Sequence, residues 1–505
     1  MTHQPFSRRY FFYGSLLAGA VPAAGFGTTA SLKQLGYKSP NEKLNIAAIG
    51  AGGKGASDIA GCATENIVAL ADPDSNRAAA SFKRYESAAK YADYRKMLDK
   101  EGANIDAVIV STPDHMHAAA SLAAMERGKH VYCQKPLTRT IYESRLLSDA
   151  AKKYKVATQM GNQGYSNEGT RQCAEMIWAG EIGNVTEVHA WTNRPIWPQG
   201  LTAMPGEAAV PETLDWDLWL GVSSMRPYVP GVAPFGWRGW FDFGCGALGD
   251  MACHILGAPN IALMLGAPVS VECLMQEGKS EFTYPKKSII RFDFPARGSM
   301  PAVKIFWYDG MAGPPPRPQG LDEKELLGDL PRNATADAIP GDGVGGYYSR
   351  EGMRRGASVL GGELPRIPAG AGQGQRQGGG GAQFPVSSNG SLFVGEKGFL
   401  TTGTYGEYTR LLPAEKMTDY KFPQALMTRS PGHYRDWIRA CKGGEAACSN
   451  FGVAGPFTEW ILLGVLALRF EGKLEWDSAK MRVTNVAEAN QLIKPAVRKG
   501  WKLSL

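Results

Sequence analysis

Short apolar runs alternate with longer stretches of mixed polarity from Leu44 onward. Runs near 45–49, 67–71, 107–111, 129–133 and 156–160 are strand-length, and helix-length segments separate them. Runs this short, rich in Val, Ile and Ala, predict buried strands rather than helices. Strands alternating with helices predict a parallel sheet covered on both faces, with ligands bound beyond the carboxyl ends of the strands. After Gly164 the pattern changes. A helix over 168–179 leads to a strand from Thr186 to Asn193, and further strand-like segments lie near 268–275, 287–294 and 301–308. The expected fold is α/β: an N-terminal doubly wound parallel sheet of Rossmann type over 41–165, then an α+β domain over 166–505 with a large, mainly antiparallel sheet. From 313 to 383 the chain is rich in Pro, Gly and Arg, including Pro314-Pro315-Pro316 and a glycine-rich tract over 370–381. Such a segment cannot bury enough apolar surface to fold alone, and it reads as an insertion, partly ordered at most. Regular patterning resumes at Gly390, with Leu392–Gly395 and an apolar helix from Phe457 to Phe470.

The strand ends carry the chemistry. The first runs into Gly50-Ala51-Gly52-Gly53-Lys54-Gly55, a G-x-G-x-x-G loop between a strand and a helix. There Gly50 permits a tight turn, Gly52 lets the backbone approach a pyrophosphate, Gly53 adds to the same loop, and Gly55 lets the helix pack on the strand. The phosphates would face unpaired N–H groups at the positive end of the helix. The second strand ends in Asp72, 22 residues beyond Gly50, where an acid accepts the hydroxyls of a ribose. The bland alternative is a glycine-rich turn followed by a capping aspartate. The third strand runs into Ser111-Thr112-Pro113-Asp114-His115-Met116-His117, and the fourth into Gln134-Lys135-Pro136-Leu137. The proline holds Lys135 in an extended turn, where its ammonium could polarise a forming carbonyl or pass a proton. Further on, Asp250 and His254 are spaced i, i+4 and share a face if helical. A carboxylate there could orient the imidazole, making His254 a candidate base with Asp250 as its partner or as a hydroxyl ligand.

Composition narrows the classes. Across 505 residues the net charge of +7 is mild, and no basic stripe is interleaved with aromatics, so nucleic-acid binding has no support. Eight cysteines form no C-x-x-C pair, and a zinc site built from His254 with Cys245 or Cys253 has no recognised spacing; no metal is expected. The first 30 residues read as a leader: Ser7-Arg8-Arg9-Tyr10-Phe11-Phe12 precedes an Ala- and Gly-rich apolar run, as in twin-arginine signals. That run is too short for a comfortable span of roughly 20 residues, and no later segment supplies one. Export to the periplasm, with no stable membrane span after processing, is the expectation.

Taken in order, the glycine loop, Asp72, Ser111-Thr112-Pro113 with His115 and His117, Gln134-Lys135-Pro136, and Gly249-Asp250-Met251-Ala252-Cys253-His254 resemble the Gfo/Idh/MocA oxidoreductase family. The resemblance runs from about Leu44 to Asn260, with a weaker match over 392–402. It implies hydride transfer between NAD(P) and a sugar-like alcohol carbon, with Lys135, Asp250 and His254 catalytic. The cofactor would lie against Gly50, Gly52, Gly53, Gly55, Asp72, Ser111–Pro113, His115, His117, Gln134 and Lys135. NAD is favoured over NADP, because the Asp72 carboxylate repels a 2′-phosphate. The family commonly has glutamate where Gln134 stands, which removes a negative charge beside Lys135. Candidate substrate contacts are Asn162, Gln163, Trp237, Arg238 and Trp240, with Asp250 and His254; His433 and Glu459 read as structural. The substrate class is a carbohydrate, and a homo-oligomer, dimer or tetramer, is expected. Outside the cytoplasm no free nicotinamide pool exists, so the cofactor would travel tightly bound. Transient oxidation with elimination, giving a glycosidase without net redox change, is an alternative. A non-catalytic sensor or scaffold is a third reading, and no sequence signal isolates the carboxylate pair of an ordinary glycosidase.

Overall fold

The computed structural model describes residues 42–310, 315–330 and 387–505. The leader and most of the insertion lie outside the described residues. Six strands form the first sheet: β1 (Asn45–Ile49), β2 (Asn66–Ala71), β3 (Ala89–Tyr91), β4 (Ala107–Val110), β5 (His130–Cys133) and β6 (Thr158–Met160). Their order is β3-β2-β1-β4-β5-β6, and all pairs are parallel. Every residue of β4 is buried, as expected when helices cover both faces of a parallel sheet. The connecting helices are α1 (Lys54–Gly61), α2 (Ser75–Arg84), α3 (Tyr94–Glu101), α4 (Asp114–Glu126) and α5 (Ile141–Tyr154). Strand β3 was not among the predicted elements. Its three residues, Ala-Lys-Tyr, carry too little apolar patterning to register, and it is fixed by pairing with β2.

The second sheet has nine strands. They are β7 (Val185–Thr192), β8 (Ser270–Glu277), β9 (Lys287–Phe294), β10 (Val303–Asp309), β11 (Asn389–Gly395), β12 (Gly398–Thr402), β13 (Arg410–Leu412), β14 (Lys473–Asp477) and β15 (Arg482–Val483). The order is β13-β12-β11-β7-β10-β9-β8-β14-β15, antiparallel except for β7 with β10. Strand β9 alternates buried and half-buried residues, the mark of a sheet with one face packed. The packed face meets α8 (Gly246–Ile255) and α11 (Phe451–Ala467), while α9 (Gly257–Ala262) packs on α8 and on α6 (Glu168–Trp178); the short α7 (Trp216–Leu220) and α10 (His433–Cys441) lie elsewhere in the order. Helix α11 begins six residues before the predicted start. Gly452, Gly455 and Pro456 look like breakers, but the Asn450 side chain accepts from Gly452 N–H at 3.0 Å and starts the helix upstream of them. Helix α11 packs on α5 of the first sheet, so the two sheets share one core. Residues 321 and 327 contribute buried leucines to a small cluster with Trp191 and Leu392. No described helix is long and apolar enough to cross a membrane.

Candidate active site

The glycine loop is shaped by close approach. Gly50 has φ +85°, and a Cβ on it would lie 2.5 Å from the Ser111 carbonyl oxygen, so the loop and the end of β4 touch. A Cβ on Gly55 would lie 1.9 Å from the Gly50 carbonyl oxygen, which is why α1 can start so near the strand. Arg77 of α2 runs along Gly52 and Gly53. Asp72 braces the loop: Oδ2 accepts from the N–H groups of Ala51 and Gly52 at 2.9 and 3.1 Å, and Oδ1 from that of Asp74 at 3.0 Å. Burial pushes its carboxyl upward against these backbone donors. One Oδ1 lone pair remains for a ribose hydroxyl.

A second carboxylate, unforeseen in the sequence, organises the neighbourhood. Asp58 of α1 is fully buried and accepts from Ser111 Oγ at 2.8 Å, Gln134 Nε2 at 2.9 Å and Tyr434 Oη at 2.7 Å, and it pairs with Lys54. Ser111 and Gln134 therefore point at Asp58. The negative charge missing at position 134 is present, supplied from α1. The only sequence hint is that Asp58 lies three residues beyond Gly55, on the same helical face.

Lys135 lies beside α8 with its side chain 15% exposed. Its Nζ donates to Asp250 Oδ1 at 2.9 Å and to the Asp250 carbonyl oxygen at 3.0 Å, leaving its third N–H without a partner among the described residues. Burial is the largest influence and pulls the ammonium's pKa down, but the Asp250 charge, Cys253 and the Asp250 hydrogen bond together outweigh it and the net shift is upward, so Lys135 is a cation and hydrogen-bond donor. Asp250 Oδ1 also accepts from Arg238 Nε at 3.2 Å. Burial alone would raise the Asp250 carboxyl; the Lys135 and Arg238 charges instead hold it well below the usual range. His254 lies one turn along α8 and is nine-tenths or more buried. Burial first, then the Lys135 charge, keeps the imidazole well below its ordinary pKa and hence neutral. Its Nδ1 has no partner among the described residues, and the Tyr405 ring stands edge-on at 4.8 Å. Asp250 thus partners Lys135 and Arg238 rather than orienting the imidazole, because two cations outcompete a neutral ring for one carboxylate.

Two more groups were not singled out in the sequence. Asp114 opens α4 and is 2% exposed; burial and the Asp250 charge push its carboxyl up to about 7. Tyr405, between β12 and β13, reaches the site from beyond the insertion.

Other predicted residues divide. Thr112 Oγ1 and both amide atoms of the fully buried Asn162 have no partner among the described residues, the mark of polar groups waiting for a ligand. These atoms, the glycine cradle and the neutral His254 nitrogen fit a bound dinucleotide and an alcohol. Pro113 is the N-cap of α4, and Gln163 opens a single-turn helix. His115 turns away from the expected pocket: Nε2 lies 3.0 Å from the Trp219 carbonyl, and the ring packs on Trp219 and Phe243. His117 joins two loops, its Nδ1 2.8 Å from the Pro136 carbonyl and its Nε2 2.9 Å from that of Thr112. Burial holds it down to about 4, so as a neutral ring it donates to only one of these two carbonyls, with its other nitrogen packed against the second. Trp240 is buried in an aromatic cluster with Trp216, Trp219 and Phe243, and Arg226 lies over its ring at 5.3 Å, so packing rather than substrate contact explains it. Trp237 belongs to the same cluster but offers its ring to the Arg238 guanidinium at 4.3 Å. His433 contacts Tyr132, Gln159 and Ser166, and Glu459 pairs with Arg145; both tie elements together. No group of three His, Cys, Asp or Glu side chains is placed to hold a metal among the described residues.

Comparison with known proteins agrees with this geometry. Residues 44–162 match the family model described as "Oxidoreductase family, NAD-binding Rossmann fold", and residues 178–286 the one described as "Oxidoreductase family, C-terminal alpha/beta domain". The chain is similar to levoglucosan dehydrogenase of Pseudarthrobacter phenanthrenivorans, 27% identical over 38% of this chain and 40% of that protein. It is also similar to inositol 2-dehydrogenase of Salmonella paratyphi B, 31% identical over 24% of this chain and 37% of that protein. The chain thus spans about two fifths of the length of these relatives. In fold it is similar to the WlbA dehydrogenase of Bordetella pertussis, solved with NADH and UDP-GlcNAcA, with a TM-score of 0.52 at 14% identity over 86% of this chain and 99% of that one.

Proposed function

We propose that this protein, whose residues 44–162 and 178–286 match the two Gfo/Idh/MocA oxidoreductase models, is an oxidoreductase of that family and oxidises a secondary alcohol of a sugar or sugar derivative. The observation that carries the reading is the Lys135–Asp250 ion pair with a neutral His254 one helical turn away. NAD, when bound, supplies the hydride acceptor. The chain supplies the rest. Asp250 fixes the Lys135 ammonium so that its free N–H can hold the substrate oxygen and stabilise the negative charge on it as the carbonyl forms. His254, neutral and with an open nitrogen, takes the hydroxyl proton. The C–H hydrogen leaves with its electron pair, so one alcohol becomes one ketone and one proton rests on the imidazole. Asn162 supplies amide contacts to substrate hydroxyls.

Tight retention of the cofactor belongs to the same proposal. Helix α10 closes on the nucleotide helix through the Tyr434–Asp58 hydrogen bond, linking the chain beyond the insertion to the loop that would hold the pyrophosphate. An enzyme carried out of the cytoplasm by the twin-arginine leader would work with that resident nucleotide. A redox-neutral variant draws on the same groups: transient oxidation acidifies the neighbouring C–H, elimination expels the glycosidic oxygen, and addition of water with return of the hydride leaves a hydrolysed glycoside. The test is to purify the full chain, assay bound nucleotide, and present neutral sugars, polyols and glycosides. Reduced-nicotinamide absorbance or aglycone release supports the reading; NAD binding without either removes it.

A further inference from the structure

We propose that the substrate carries a carboxylate, a sugar acid, and that Arg238 is the residue that receives it. This rests on the alcohol-oxidising reading above and names its substrate class. Arg238 has five N–H donors, and protein groups use two of them: Nε donates to Asp250, and Nη1 donates to the Phe235 carbonyl at 3.2 Å. Nη2 has no partner among the described residues, although the side chain is only 21% exposed. The guanidinium plane is set between rings, 4.3 Å from the Trp237 centroid and 4.6 Å from that of Phe235, with Trp197 at 5.9 Å. Flanking aromatics hold the fork and strip its water, leaving an edge with unspent donors.

The local charge count points the same way. Lys135 and Arg238 share the single Asp250 carboxylate, and His254 adds no negative charge. Asp114, near half-ionised at neutral pH, offsets the remaining cation only in part. A neutral sugar would leave a partly desolvated guanidinium edge unanswered, whereas a carboxylate meets it with two parallel charge-assisted hydrogen bonds. Phe235, 44% exposed, offers an apolar ring beside that edge, suited to the C–H face of a pyranose. Because Arg238 and Lys135 meet on one oxygen of Asp250, the carboxylate subsite and the alcohol being oxidised lie within one sugar residue.

The experiment uses the NAD-loaded full chain and matched pairs: D-glucuronate with D-glucose, D-galacturonate with D-galactose, and their methyl glycosides. Binding is read by titration calorimetry and turnover by the nicotinamide spectrum. A charged hydrogen-bond pair is worth roughly 1.5–3 kcal/mol, so the acid should be favoured about 10- to 100-fold in kcat/KM, chiefly through KM. Arg238→Gln should erase that ratio, and Arg238→Lys should restore part of it, since charge returns without the fork. The wild-type comparison needs no variant, so a misfolded substitution leaves the inference exposed to refutation. Equal or better use of the neutral partner overturns the sugar-acid inference while the dehydrogenase reading stands. Failure of every sugar, acid or neutral, to bind or to change the cofactor spectrum overturns both.

Discussion

Replacing Gln134 with glutamate installs the residue common at this position in the family the chain resembles, yet this structure predicts that it harms the protein. Gln134 is 4% exposed, and its Nε2 donates to the fully buried Asp58 across 2.9 Å. Glutamate would set a carboxylate oxygen against Asp58 at that distance. Two unit charges ~3 Å apart repel by roughly 5.5 kcal/mol at an effective dielectric of about 20. Holding a proton on a carboxyl of ordinary pKa ~4.3 at pH ~7 costs about 3.7 kcal/mol, at ~1.4 kcal/mol per unit. Protonation is cheaper than repulsion, so the pair keeps one shared proton and the penalty saturates near ~4 kcal/mol. The penalty follows the pH: below about pH 5 it falls to roughly 1 kcal/mol, because solvent supplies the proton readily. Urea unfolding of the full chain, followed by tryptophan fluorescence at neutral and acidic pH, measures it. The double variant Asp58→Asn/Gln134→Glu exchanges amide and carboxylate, and should recover at least ~2 kcal/mol relative to the sum of the singles. A Gln134→Glu protein as stable as the parent at neutral pH, a penalty independent of pH, or additive singles would each refute the Asp58–Gln134 argument.

The other predictions test the site and its supports. Lys135→Ala and His254→Ala should each lower kcat by about 10²- to 10⁴-fold while retaining NADH binding, read by stopped-flow and fluorescence titration. Asp114 binds its proton up to about pH 7 in the fold but only to ~3.9 unfolded, so wild-type stability falls as pH rises across that window. Asp114→Asn should flatten that fall, gaining up to about 4 kcal/mol at neutral pH and nothing near pH 4; parallel pH profiles of both proteins would contradict the assignment. Tyr434→Phe removes one hydrogen bond to a buried carboxylate and should speed NADH release about 10-fold, measured by displacement kinetics. Gly55→Ala places a Cβ 1.9 Å from a backbone oxygen, so the variant should lose nucleotide binding, and an unaltered Kd would deny that the cradle is as tight as drawn.

What could be read from the sequence follows from which forces are local. Strands β1, β2, β4 and β5 were legible because burial on both faces demands continuous apolar runs, and the turns after them were legible because glycine and proline restrict the backbone in place. Asp58 was not. A carboxylate on a short helix reads as a solvent-facing residue, and its partners Ser111, Gln134 and Tyr434 lie 53, 76 and 376 positions away. Nor could the burial of His115 and Trp240 be foreseen. Each sits beside residues that do carry chemistry, and only the aromatic cluster around Trp219 and Phe243 decides that they pack instead.

Asp250 shows where spacing ends and electrostatics takes over. Spacing of i, i+4 places it on the face of His254, and that much the helix delivers. It cannot say which neighbour the carboxylate will bind. Lys135 arrives from 115 positions upstream and Arg238 from 12, both permanently charged, and a partly desolvated carboxylate gains far more from a cation than from a neutral ring. The outcome divides the proposed chemistry between two groups. Had Asp250 bonded to His254 it would have stabilised the imidazolium and raised the pKa of the base. Spent on Lys135, it holds the ammonium charged while burial and that same ammonium keep His254 free to accept a proton. The acid and the base of the site are set apart by one carboxylate that binds only one of them.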